Sequence, residues 1–177
     1  MDKDLSLAIT DRLLFRRAAV SDIPDITLIL RTAAARMLAE GKQQWDETYP
    51  GETDVRSDVE KGFGHVLESG GEIAGYAAVV FTGEPAYAAI DGNWLTEGRY
   101  VVAHRVAVSQ RVRGRGMGLI LMKAIEEYSR RLGVTSFRID TNFDNEAMLG
   151  LLDRLGFTYC GEIAYEKGVR KAFEKPI

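Results

Sequence analysis

The stretch from Tyr100 to Leu132 restricts the fold of this chain more than any other. Tyr100–Val108 alternates as a strand does, placing Tyr100, Val102, His104, Val106 and Val108 on one face. Ser109–Gly116 follows as a loop, and the run Arg113-Gly114-Arg115-Gly116-Met117-Gly118 opens a long amphipathic helix. Leu121, Ala124, Ile125, Tyr128 and Leu132 make the apolar stripe of that helix, and Gly133 closes it. Val134–Thr141 reads as the next strand. A strand, a helix and a strand in succession imply a parallel pair, so the centre of the fold is α/β.

The remaining segments extend this unit in both directions. Leu13–Arg17 reads as a first strand, which leaves residues 1–12 as an N-terminal extension and 13–177 as the domain. Ser21 can cap a following helix that carries Pro24 in its first turn. Ile23, Ile26, Leu30, Ala34, Met37 and Leu38 recur at helical spacing up to Gly41. Lys42–Glu52 reads as a loop and Asp54–Lys61 as a shorter helix. His65–Ser69 and Ile73–Thr82 are strands joined by a tight turn at Gly70-Gly71, hence antiparallel. An irregular stretch leads to Trp94. After the central unit come a helix over Asn145–Leu155 ended by Gly156, a strand over Phe157–Tyr165, and a last strand near Lys171–Lys175. The expected architecture is one α/β domain with a mixed central sheet and helices on both faces, a size that suits 177 residues.

Charge and composition narrow the function. The chain has 26 acidic against 23 basic residues, a formal net charge of -3, so neutralising a nucleic-acid backbone is not expected of it. It has no apolar run long enough to span a bilayer, and its charged start lacks the form of a secretory signal. The one cysteine, Cys160, has no partner for a disulfide, and no Cys/His cluster suggests a metal. A cytoplasmic location is the expectation.

Positive charge is nevertheless concentrated at Arg105, Arg111, Arg113 and Arg115. At a helix start the first amides lack intrahelical acceptors and together carry roughly half a positive charge. Glycines remove the Cβ atoms that would screen those amides, so a diphosphate can approach them. The spacing excludes two familiar nucleotide sites. There is no G-x-x-x-x-G-K-[ST] run, and the glycines follow G-x-G-x-G rather than the dinucleotide pattern.

These residues together resemble the GNAT superfamily of acetyl-CoA-dependent N-acetyltransferases. The resemblance rests on Val106-Ala107-Val108, on R-x-x-G-x-G at Arg113–Gly118, on Asp140-Thr141-Asn142 with Asn145, and on the block from Leu151 ending in Leu155-Gly156-Phe157. The motif also fits one step earlier, at Arg111, but the later register starts the helix at Met117. The resemblance covers about Leu13 to Tyr165. It implies that backbone groups of Val106 and Val108 pair with the pantetheine arm of acetyl-CoA. It also implies that the segment Arg113, Gly114, Arg115, Gly116, Met117, Gly118 and Leu119 holds the pyrophosphate, and that Asn145 contacts the pantetheine or phosphate arm. A plain helix cap is an equally good reading of Asn145, and the two are compatible.

The implied reaction is direct attack of a primary amine, from a small molecule or peptide, on the thioester. An alkyl amine has a pKa of about 10.4, so near neutral pH a base must take its proton. His104 is the leading candidate, with Asp140 and Glu72 behind it and a purely structural histidine as the alternative. A backbone amide near Val106 would stabilise the oxyanion. Relatives often use a tyrosine seven residues after the asparagine as proton donor, but here that position is Leu152. Tyr159 is the candidate substitute, with Tyr165 next. Trp45, Tyr49 and Trp94 lie in segments expected to form the acceptor pocket. The missing tyrosine motivates an alternative, a non-catalytic module that senses acyl-CoA. A homodimer would be in keeping with similar proteins.

Overall fold

The computed structural model describes residues 6–177; of the expected N-terminal extension, residues 1–5 lie outside them. The chain forms strands β1 (Leu7–Thr10) and β2 (Leu13–Arg17), helices α1 (Ile23–Ala39) and α2 (Glu52–Glu60), and strands β3 (Gly64–Ser69) and β4 (Glu72–Val80). Next come a two-residue strand β5 (Asp91–Gly92), strand β6 (Tyr100–Val108), helix α3 (Met117–Arg131) and strand β7 (Ser136–Thr141). Helix α4 (Glu146–Leu155) and strands β8 (Thr158–Tyr165) and β9 (Gly168–Pro176) complete the domain. The expected α/β architecture with a mixed sheet is therefore the observed one. Among the described residues no helix is long and apolar enough to cross a membrane.

All nine strands belong to one sheet, in the order β1-β2-β3-β4-β6-β7-β9-β8-β5. β6 and β7 are parallel, as a strand–helix–strand unit requires, and the other neighbours are antiparallel. The β3–β4 hairpin turns at Gly70-Gly71, both at positive φ, which glycine adopts without penalty. Successive side chains of a strand point to opposite faces, so the sheet can be covered twice. Leu67, Ala77, Val79, Val101, Phe137 and Ile139 meet the apolar stripes of α3 and α4 on one face. Val66, Tyr76 and Ala107 meet Ile26, Leu30 and Ala34 of α1 and Val55 of α2 on the other.

Local rules account for most element ends. Helix α3 starts at Met117 and ends in Arg130 and Arg131, cations that suit the negative end of a helix. Asn145 caps α4 by accepting a hydrogen bond from the Met148 amide at 3.2 Å. Three details differ from expectation. Ser21 lies inside a short 3-10 turn, Val20–Asp22, where the Asp22 carboxylate accepts from the Ala19 amide at 2.7 Å. The pair β1–β2 adds an edge strand within the segment expected as an extension. The irregular stretch before β6 contains β5, which pairs Asp91 and Gly92 with Glu162 and Gly161 of β8.

Candidate active site

Two departures of β6 from regular pairing create the site. β6 pairs with β7 over Tyr100–Val102 and Ser136–Arg138, and beyond these residues the two strands diverge. Against β4, Tyr76 pairs with Ala107 and Ala78 with His104, so Arg105 and Val106 together stand opposite Ala77. This is a β-bulge. Arg105 takes φ +52°, the one positive φ of a non-glycine among the described residues. The bulge also corrects the expected alternation. Val102 packs with Tyr87 on one face, whereas Val106 packs with the cluster under α3 on the other, so the shared face ends at His104.

A buried ion pair holds the bulge. Arg105 donates to both oxygens of Asp58 in α2, from Nε at 2.9 Å and from Nη2 at 2.5 Å, and to the Tyr49 phenol at 3.0 Å. Tyr76 of β4 donates to the same carboxylate at 2.6 Å. Asp58 escaped the sequence reading, although a carboxylate three residues after Val55, on the apolar face of a short helix, was a usable signal.

The diverging strands leave a cavity whose lining includes Trp45, Tyr49, His104, Val106, Asp140 and Arg170. One wall is the loop between α1 and α2, and its backbone is fixed from several sides. Asp46 Oδ1 accepts from the Thr48 and Tyr49 amides at 2.8 and 2.7 Å. Arg31 donates to the carbonyls of Asp46, Glu47 and Pro50. Gln44 Oε1 accepts from the Thr141 hydroxyl, the Asn142 amide and Asn145 Nδ2, each at 3.1 Å. Both ends of the Asn145 side-chain amide are thus engaged within the protein.

The opposite wall is polar. His104 Nε2 lies 3.2 Å from Glu84 Oε2. The hydrogen bond from His104 holds the Glu84 carboxyl below its ordinary value despite partial burial. Asp140 Oδ2 accepts from the phenols of Tyr87 and Tyr165, at 2.8 and 2.9 Å. Burial, reinforced by the Asp140 charge, pushes both phenols well above the ordinary tyrosine value, so they stay proton donors.

At the far end of β6 the chain enters the glycine-rich loop. Gly114 and Gly116 both take positive φ, and a side chain at either would point into open space. Ile120 is the first amide of α3 with an acceptor in the helix start, the Gly116 carbonyl at 3.2 Å. The amides of Met117, Gly118 and Leu119 precede it and face the end of the helix. No acidic residue occupies this first turn. Arg36 of α1 stands near Arg113, and burial together with the Arg113 charge lowers its pKa. Glu40 already acts on both of these cations, so what favours an anion at this turn is the open amides before Ile120.

The residues named from sequence are not all brought together. His104, Val106, Trp45, Tyr49 and Asn145 line the cavity, and Val108 leads from it to the loop. Trp94 is elsewhere. Its ring packs on Tyr87, its Nε1 donates to the Tyr87 carbonyl at 3.0 Å, and the Arg138 guanidinium sits 4.4 Å from the ring centre. Tyr159 is 53% exposed and packs edge-on against Phe173, outside the cavity lining. Glu72 is an exposed partner of Arg111. Leu152 is fully buried in the core, so the position that often carries the proton donor has no polar group to offer. Glu84, Gln44 and Arg170 were not singled out from sequence, since each gains meaning only from partners far along the chain.

Comparison with known proteins follows the same lines. The family model described as the Acetyltransferase (GNAT) family matches residues 30–157. A solved acetyltransferase of the GNAT family from Streptococcus agalactiae is 34% identical, with a TM-score of 0.86 over 93% of this chain and 95% of that one. An L-methionine sulfoximine/L-methionine sulfone acetyltransferase from Pseudomonas paraeruginosa is 31% identical over 84% of this chain and 81% of its own length. An acetyltransferase from Salmonella typhimurium, solved with its cofactor acetyl-CoA, shares the fold at a TM-score of 0.67 and 19% identity, covering 94% of each chain.

Proposed function

Because this chain belongs to the acetyltransferase (GNAT) family and is an acetyltransferase, we propose that it moves the acetyl group of acetyl-CoA to a primary amine by direct attack. The observation that carries this reading is the continuity of three parts on one strand. β6 leads from His104 at the cavity, through the bulge at Arg105 and Val106, to the loop and the amides that open α3. The Salmonella relative with acetyl-CoA bound supports the choice of cofactor.

In this reading the pyrophosphate lies against Gly114–Leu119, with Arg113 and Arg115 flanking it. The pantetheine arm enters between β6 and β7 and pairs with the backbone of Val106 and Val108. The thioester then sits at the cavity, where a β6 amide near Val106 meets the developing oxyanion. His104, with Nε2 near Glu84, is the group on this strand that takes the proton of the attacking amine. Trp45 and Tyr49 shape the acceptor side. The thiol of coenzyme A, with a pKa of about 8.5, leaves as thiolate without an obligatory acid. The Pseudomonas relative acts on small amino-acid analogues by its name, which supports a small-molecule acceptor over a peptide.

The test is to incubate the protein with acetyl-CoA and a panel of amines and to follow released thiol. Turnover with at least one amine is expected. Calorimetric binding of coenzyme A with no thiol release across the panel would favour an acyl-CoA sensor instead.

A further inference from the structure

Arg170 lies on the same cavity as His104, and its surroundings set it apart from Arg105 and Arg138. Its side chain is 23% exposed, and a guanidinium carries five N–H donors and a charge it cannot shed. Among the described residues it makes no hydrogen bond. Its ion-pair contact is Nη1 to Asp140 Oδ1 at 3.9 Å, beyond hydrogen-bond distance, and it stands 5.7 Å from the centre of the Tyr165 ring. Arg105 and Arg138 are more fully paired. The first donates to Asp58 and Tyr49, the second to Glu174 and the Thr96 carbonyl.

Asp140 Oδ2 already accepts from Tyr87 and Tyr165, which leaves Oδ1 to face Arg170 at 3.9 Å. Glu84 is engaged by His104. The cavity therefore offers a cation with unused donors beside one carboxylate, Asp140, whose Oδ2 is already engaged. A lone alkylammonium would gain little here and would meet a like charge. A molecule carrying an amine and a carboxylate would place opposite charge on Arg170 and its amine toward His104, with the bidentate geometry that arginine gives to carboxylates.

We infer that Arg170 receives the carboxylate of the acceptor, and that the amine acetylated belongs to a small zwitterion of the amino-acid class. The inference rests on the acetyl-transfer reading and specifies its acceptor.

The experiment compares α-amino acids with their carboxamides and with the corresponding decarboxylated amines, using acetyl-CoA and thiol release. A preference of about tenfold or more in kcat/KM for the acids is expected, the scale of one charge-assisted hydrogen-bonded pair. In Arg170→Gln the acceptor KM should rise by about tenfold for the acids alone, with the acetyl-CoA KM unchanged, and Arg170→Lys should keep part of the preference. Carboxamides or simple amines accepted as well as the acids would overturn the inference while leaving acetyl transfer standing. A rise in the acetyl-CoA KM in place of the acceptor KM would assign Arg170 to the cofactor and overturn it too. Thiol release from no acceptor at all, with coenzyme A bound, would remove the transfer reading and this inference with it.

Discussion

Arg105 and Asp58 face each other through two hydrogen bonds, one to each carboxylate oxygen, across the point where β6 bulges. The left-handed backbone at Arg105 costs on the order of 1–2 kcal/mol, and this pair, with Tyr49 and Tyr76, holds it in place. Asp58→Ala would leave a mostly buried guanidinium without its carboxylate. A loss of about 3–5 kcal/mol in urea unfolding is expected, the usual result of removing one partner of a buried pair. A loss under about 1 kcal/mol would show that the pair does not hold the bulge.

Gly116 is the residue through which the loop turns into α3, at φ +75°. A valine there suffers the strain of a β-branched residue in a left-handed conformation and sets its side chain before the first amides of the helix. Gly116→Val should weaken coenzyme A binding by about tenfold or more, read by calorimetry. A far-UV spectrum matching the parent would separate lost binding from lost folding. Unchanged affinity would remove the loop from the cofactor site.

His104 lines the cavity, and its Nε2 lies 3.2 Å from Glu84 Oε2. With His104 as base, His104→Ala should lower kcat by about a hundredfold, the lower end of general-base contributions, and spare acetyl-CoA affinity. Glu84→Gln should have a smaller effect in the same direction, because it removes the charge that favours the imidazolium formed during transfer. Turnover equal to the parent in His104→Ala would return this histidine to a structural role.

His65 predicts an acid-sensitive fold. The ring is 1% exposed, stacked on Phe15 and edge-on to Tyr128, with Nδ1 bonded to the Phe63 carbonyl. Burial lowers its pKa from 6.5 to about 4, opposed by the Phe63 bond and assisted by the Arg17 charge. The folded state therefore binds fewer protons than the unfolded one between these values. The stability tied to this group is whole above pH 6.5 and is lost as pH falls towards 4, an amount of about 3 kcal/mol. Urea unfolding at pH 7 and pH 4.5 should show a smaller acid loss in His65→Phe than in the parent. Equal losses would discount His65 as the cause.

Much of the fold was legible because its signals are local. The stripe of α3, the glycines before Met117 and the Gly70-Gly71 turn each act within a few residues. The edge strand β1 was missed, since a four-residue strand with a single buried side chain, Leu7, has little pattern to read. Of the candidate site, sequence offered only what coincides with such signals, the glycine loop and the strand that brings His104 to the cavity. Arg105 in the bulge is held by Asp58, 47 residues away in sequence, and Asp140 is dressed by phenols 53 and 25 residues distant. Trp94 had the composition of a binding residue, but a cation placed between it and Tyr100 by β7 claims its ring. No window of sequence contains both members of such a contact.

One amide oxygen, Gln44 Oε1, ties the crossing after α1 to the turn that launches α4. Swinging the loop outward would break all three hydrogen bonds at once, although the Asn145 Oδ1 cap on the Met148 amide would remain. That wall of the cavity is thus tied to the turn before α4 through the Gln44 side chain, and Gln44→Ala should loosen it in one step.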